Sequence, residues 1–207
     1  MEEQRTYAGN LKLLGGRLCL DYANTVDWHA GAQSHEWLTS YEDLLSWSRL
    51  VGLLHNDEVA RLQQLAKQRP AEQAEVYRRA IELREVLYRI FSAVAAGRAP
   101  AEADLDLFNM ALQQALVHLR VVPASQGFKW SWSDHEALDR MLWPVARSAA
   151  ELLTSAELDR VRECEGTDCG WLFLDTSKNR RRRWCAMEDC GNRAKARRHY
   201  ARTRMRS

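Results

Sequence analysis

Prolines and glycines are sparse. Four and ten in 207 residues are too few for a collagen-like or Pro/Gly-rich low-complexity chain. No apolar run approaches the ~20 residues a membrane span requires, so no membrane partner is expected. The opening residues Met1-Glu2-Glu3-Gln4-Arg5 lack the apolar stretch of a signal peptide, which points to the cytoplasm. Internal repeats are missing. So are a nucleophile elbow, a phosphate-cradling loop and a catalytic metal motif, and no enzymatic activity is expected. Hydrophobic residues, at 46%, suffice for a core, and charged residues make up 28%. The length fits one medium domain, or one domain with a small module.

Charge is unevenly spread. Residues 161–207 hold thirteen Lys/Arg and six Asp/Glu, a net of +7, whereas the rest of the chain carries −5. A mildly acidic body with a basic tail points to a polyanion partner, with nucleic acid the leading candidate.

The cysteines follow the same division. Cys19 stands alone in an apolar stretch, as buried free cysteines do, and is given no function. Cys164, Cys169, Cys185 and Cys190 form the pattern C-x4-C-x15-C-x4-C. Two close pairs across a short loop, in a reducing compartment, read as a zinc site rather than disulfides. Four thiolates fill a tetrahedral ion and leave no position for water, so one structural zinc is expected.

The periodicity predicts mostly helices. Leu11–Val26 reads as strand–turn–strand around Gly15-Gly16. Ser40 opens a helix with Leu44, Leu45, Trp47 and Val51 on its apolar face, and Asn56 or Asp57 caps a second that ends before Pro70. Residues 71–97 give the clearest pattern: Val76, Ala80, Leu83, Leu87, Ile90 and Val94 alternate at spacings of four and three. Pro100 opens a helix to about Leu116, and residues 117–133 read as a second hairpin. Ser133 or Asp134 caps a further helix with a kink at Pro144, and Thr154 starts a short helix. The fold class is therefore mainly α with two small β-hairpins (α+β) over residues 1–158, followed by a zinc module over 159–207.

Within the module, residues 170–175 read as a strand, with Arg180–Trp184 as its returning partner. After Cys190 the chain has strong helix propensity. Knuckle, hairpin and helix make a treble-clef-like arrangement, too small to fold without its metal. Its cations are the candidate nucleic-acid contacts: Lys178, Arg180, Arg181, Arg182 and Arg183 on the hairpin, and Arg193, Lys195, Arg197, Arg198, Arg202, Arg204 and Arg206 on or after the helix. Arg193, Arg197 and Arg204 fall near one face beside Tyr200, while Ala194, Ala201 and Met205 are placed to pack back. An Arg-rich helix can enter a major groove while a basic hairpin grips phosphate. Trp171 and Trp184 read as module core, Asn192 as a helix cap, and His199 as a surface residue rather than a metal ligand.

Two stretches carry a family resemblance. Trp171-Leu172-Phe173-Leu174-Asp175-Thr176-Ser177, Arg182-Arg183-Trp184-Cys185-Ala186-Met187 and Cys190-Gly191-Asn192-Arg193 together resemble the CGNR zinc finger, named for that last tetrapeptide. Leu18-Cys19-Leu20-Asp21-Tyr22-Ala23-Asn24-Thr25-Val26 resembles the opening of the ABATE domain that precedes this finger in bacterial proteins. The resemblance implies a stress-related bacterial transcriptional regulator whose four cysteines bind zinc and whose finger contacts DNA.

Three readings follow. A regulator binds double-stranded DNA through the finger, associates with the nucleoid, and uses its N-terminal domain to sense a small-molecule effector or to form a homodimer. Alternatively the finger is an RNA-binding or protein-interaction module, with Trp171, Trp184 and Tyr200 able to stack on unpaired bases. An enzyme in the N-terminal domain is the third, resting on Asp21, Asn24, Asp27, His29 and His35, which lie close together in sequence without a catalytic motif. A small-molecule pocket there is preferred to catalysis, with Asp21, Asn24, Trp28 and His29 as its candidate residues and Trp28, Trp130, Trp132 and Trp143 as aromatic lining. The regulator reading is preferred.

Overall fold

The computed structural model describes residues 11–29, 31, 34–133 and 135–204. Their elements are α1 (Leu18–Ala23), β1 (Val26–Asp27), β2 (His35–Glu36), α2 (Tyr41–Leu50), α3 (Asn56–Gln68), α4 (Pro70–Ala95), α5 (Glu102–Leu116), β3 (Leu119–Pro123), β4 (Phe128–Trp132), α6 (Leu142–Leu153), β5 (Val161–Glu163), β6 (Leu172–Leu174) and α7 (Asn192–Arg204). Helices dominate. The strands form three separate antiparallel pairs, β1–β2, β3–β4 and β5–β6. The expected fold class holds.

Helix α4 is the spine. Val76, Ala80, Leu83, Val86, Leu87, Ile90 and Phe91 are buried along it, and α1, α5 and β5 pack against it. Pro70 sits at its first turn, where the missing N–H has no helical partner to lose. Ser40 caps α2, accepting from the Asp43 N–H at 3.1 Å. Helix α3 begins one residue earlier than expected, with the Glu58 carboxylate accepting from the His55 N–H at 2.9 Å. Tyrosines pin the core: Tyr22 donates to the Ala80 carbonyl at 2.7 Å and Tyr41 to that of Leu138 at 2.8 Å.

Three expectations are corrected. Leu11–Val26 is no hairpin. Residues 18–23 form α1, with Cys19, Leu20, Tyr22 and Ala23 all buried. A continuous apolar run of this length fits helix or strand equally, and here the Asp21 carboxylate settles it by accepting from the Gly15 N–H at 2.8 Å across the first turn. Second, α6 starts at Leu142, so Pro144 lies in its first turn and kinks nothing. Asp134, one of the two expected caps, lies outside the described residues. Ser133 instead donates to the His118 carbonyl at 3.1 Å and closes the β3–β4 hairpin. Third, the partner of β6 is not Arg180–Trp184. It is β5, with Val161 opposite Leu174, Arg162 opposite Phe173 and Glu163 opposite Leu172. The hairpin thus encloses the first cysteine pair instead of separating the two.

The cysteine region does not stand apart from the helices. Leu172, Phe173 and Leu174 are fully or almost fully buried in the same core as α1, α2, α4 and α6. Strand β6 is extended by the Leu174 N–H donating to the Gly15 carbonyl at 2.8 Å. Among the described residues, no helix is long and apolar enough to cross a membrane.

Candidate metal centre and nucleic-acid interface

Strand β5 delivers Cys164, whose N–H donates to the Trp171 carbonyl at 2.8 Å and so closes the turn holding Cys169. The reversal runs through Asp168 and Gly170 at φ of 63° and 69°, a conformation natural for glycine and tolerated by aspartate. The second pair is built differently. Met187–Gly191 form a π turn leading into α7, and the Gly191 N–H donates to the Ala186 carbonyl at 3.1 Å. Cys190 therefore projects from the foot of the helix.

The four Sγ atoms lie within 4.8 Å of one another, and all four residues are buried. Cys169 and Cys185 sulfurs are 3.8 Å apart, those of Cys185 and Cys190 3.7 Å. A tetrahedron with zinc–sulfur bonds of ~2.3 Å has edges of about 3.8 Å, so the spacing fits zinc and is far too long for a disulfide. Packing admits nothing larger at the gap: a Cβ on Gly166 would stand 2.8 Å from the Cys190 sulfur.

Four thiolates around a divalent ion make a doubly negative centre, and donors surround it. Cys164 Sγ accepts from the N–H groups of Cys185 at 3.2 Å and Gly166 at 3.4 Å. Arg193 donates to Cys190 Sγ at 3.0 Å.

Comparison with protein families bears on this geometry. Residues 160–203 match the CGNR zinc finger, and residues 16–156 match ABATE, a family described as "Putative stress-induced transcription regulator". The chain belongs to the ABATE family. A search of curated proteins gave no match. In this ABATE protein the four cysteines are the ligands of one structural zinc. The signature tetrapeptide acquires a physical meaning. Cys190 is a ligand. Gly191 leaves room for Met187, whose sulfur would lie 2.5 Å from an added Cβ. Asn192 donates to the Glu188 carbonyl at 3.2 Å, bracing the π turn rather than capping the helix as expected. Arg193 faces the sulfur cage.

The expected nucleic-acid contacts divide into two sets. Four arginines are engaged within the protein. Arg193 lies on Cys190. Arg182 stacks over Phe173 and donates to the carbonyls of Trp184, at 3.0 Å, and Cys185. Arg183 pairs with Glu165 and Arg180 with Asp159. Lys178, Arg181, Lys195, Arg197, Arg198, Arg202 and Arg204 have no carboxylate within ion-pair distance among the described residues. Five of these seven lie on α7, which buries no residue at all. Arg198 approaches the half-buried Trp184 ring, and Tyr200 is 70% exposed. Ala194 is half-buried beside Trp184, Ala201 is exposed, and Met205 and Arg206 lie outside the described residues.

A residue that sequence reasoning passed over organises the basic loop. Asp175 is fully buried and accepts from the N–H groups of Ser177 at 2.9 Å and Arg182 at 3.0 Å. Burial works against its charge, but these hydrogen bonds win and hold its carboxyl below the ordinary range.

The four N-terminal candidates do not converge on one pocket. Asn24 is buried and clamps Leu172, donating to its carbonyl and accepting from its N–H, each at 2.8 Å. Trp28, half in solvent at φ 54°, borders a cavity of about 190 Å³ beside the metal centre with Lys12, Asp27 and Arg193. His29 stacks on Tyr88 and lies 2.9 Å from Glu85. Burial alone would raise the Glu85 carboxyl, yet the bonds to His29 and Arg84 hold it at about 2. Cys19 is fully buried, which pushes its thiol up to about 12 and leaves it inert.

Asp21 carries a measurable consequence. Burial pushes its carboxyl up to about 6, despite the N–H from Gly15 pulling the other way. The folded chain therefore binds this proton more tightly than the unfolded chain. Stability from this group is greatest below about pH 4, declines between about pH 4 and 6, and stays low above. Asp21→Asn keeps an acceptor for Gly15. It is expected to add about 2–3 kcal/mol at pH 7.5 and to flatten the decline. Urea melts of both proteins at pH 4.5, 6 and 7.5 check this.

Proposed function

We propose that this chain is a transcriptional regulator that binds double-stranded DNA through α7 and the loop around Lys178 and Arg181. One observation carries the reading: α7 is a solvent-exposed helix with six cations and no carboxylate, anchored at its foot by the zinc centre. A bare cationic helix repels itself in water, and a phosphate backbone supplies the missing counter-charge. A helix of this diameter fits the major groove, where arginine can pair bidentately with guanine. Residues 1–158 then form the regulatory part and 159–207 the contacting part.

Fluorescence anisotropy of a labelled mixed-sequence duplex with zinc-loaded protein tests the proposal. If about six of the seven unpaired cations neutralise phosphates, log K falls against log salt with a slope near −5. The triple variant K195Q/R197Q/R198Q should shallow that slope by roughly 2 to 3. Binding that ignores salt, or no binding at low salt, defeats the reading. Tighter binding to single-stranded RNA than to duplex would turn it toward RNA.

A further inference from the structure

A second unexplained feature lies away from the metal. Helices α4, α5 and α6 leave an open cavity of about 270 Å³ between them. Its wall is apolar: Leu83 and Val86 from α4, Ala111 from α5, and Leu142, Trp143 and Ala146 from α6. Leu107 and Met110 stand at its mouth, 40% and 58% exposed. Each helix offers the cavity residues spaced three or four apart, and the small side chains of Ala111 and Ala146 are among them. The cavity is open to solvent, and an apolar wall with a few polar groups at its rim is the lining typical of a small-molecule site.

The rim selects the kind of occupant. Arg78 is held by Glu75 at 2.7 Å and Glu82 at 3.1 Å. Arg79 is held by Asp139 and by Gln114, both at 3.1 Å. The carboxylates and guanidinium groups at the mouth are paired with one another, so an ionic ligand finds no free counter-ion there. The Arg79 Nε and Trp143 Nε1 donors of the lining have no hydrogen-bond partner among the described residues and suit a neutral acceptor. An apolar cavity of ~150 Å³ is known to take benzene, so 270 Å³ suits a two-ring aromatic or a compact aliphatic of similar bulk.

We infer that this cavity is a binding site for an uncharged, largely apolar small molecule. The site is separate from Asp21, Asn24 and His29, and its test does not depend on DNA binding.

Two fluorescent probes sharing one ring system decide the matter on the zinc-loaded full chain. N-phenyl-1-naphthylamine is neutral, and 8-anilinonaphthalene-1-sulfonate adds a sulfonate. Saturable one-to-one binding of the neutral probe, displaced by naphthalene, is expected, with the sulfonate at least tenfold weaker. Ala111→Phe and the milder Ala111→Leu grow into the cavity from a half-buried position. Either should weaken the neutral probe at least tenfold while the thermal midpoint stays within a few degrees, and a variant that unfolds leaves the other to decide. Absence of saturable binding, or binding undiminished in a folded Ala111 variant, overturns the site. Tighter binding of the sulfonate, lost in the same variants, overturns the ligand class.

Discussion

Cys185→Ser should leave the protein unable to retain zinc. Metal content after gel filtration against a competing chelator is expected to fall from about one ion per chain to below about 0.1. Cys185 sits between two neighbours, 3.8 Å from Cys169 and 3.7 Å from Cys190, so its loss opens the cage between the two halves of the site. A serine hydroxyl stays protonated and is a poor partner for zinc. Structural zinc contributes roughly 10–16 kcal/mol in small finger peptides, so losing even part of it exceeds most side-chain effects. The sulfur cage also belongs to the common core, and its collapse should lower the thermal midpoint by roughly 10–20 °C. Cys19→Ala is the matched control. It removes a buried thiol that is not part of the cage and should leave zinc content at one per chain. Full zinc retention by Cys185→Ser would show that this thiol is not a ligand.

Asn24→Ala should be strongly destabilising although it lies outside the metal site. One side chain satisfies both the N–H and the carbonyl of Leu172, and both partners are fully or almost fully buried. Truncation strands two backbone groups with no water to replace the amide, at about 1–3 kcal/mol each. The midpoint should fall by roughly 6–15 °C. Strand β6 lies between the cysteine pairs, so zinc should also exchange faster, measured by transfer to a coloured chelator. Asn24→Asp separates the two bonds: it keeps the acceptor but sets a carboxylate against a carbonyl oxygen, and should be no better than alanine at pH 7. A midpoint within 1–2 °C of the parent would mean that the clamp is dispensable.

These two sites differ in how visible they were in the sequence. The zinc ligands were legible because coordination chemistry constrains residue type and spacing together. Helix α4 was legible because a buried stripe along seven turns leaves a period that nothing else mimics. Asn24 was not, because an amide's partner is set by tertiary packing: residue 172 lies 148 positions away. The same reason hid the β5–β6 pairing, since Arg180–Trp184 was the nearer candidate and local reasoning favours the nearer. It also blurred the arginines. Arg182, Arg183 and Arg193 look alike in a basic run, yet one packs on Phe173, one meets Glu165 and one guards a sulfur. Net charge told how many cations there are, and only the fold told which are spoken for.

Helix α4 has neither glycine nor proline after its first residue, over a length of about 39 Å. One side of this shaft lines the cavity through Leu83 and Val86. Farther along, Tyr88 and Ser92 donate to the Glu163 carboxylate, at 3.3 and 2.6 Å, one residue before the first zinc ligand. A rod without a hinge turns or slides as one piece. One unbroken helix thus joins the cavity wall to the strand that leads into Cys164, with no intervening loop.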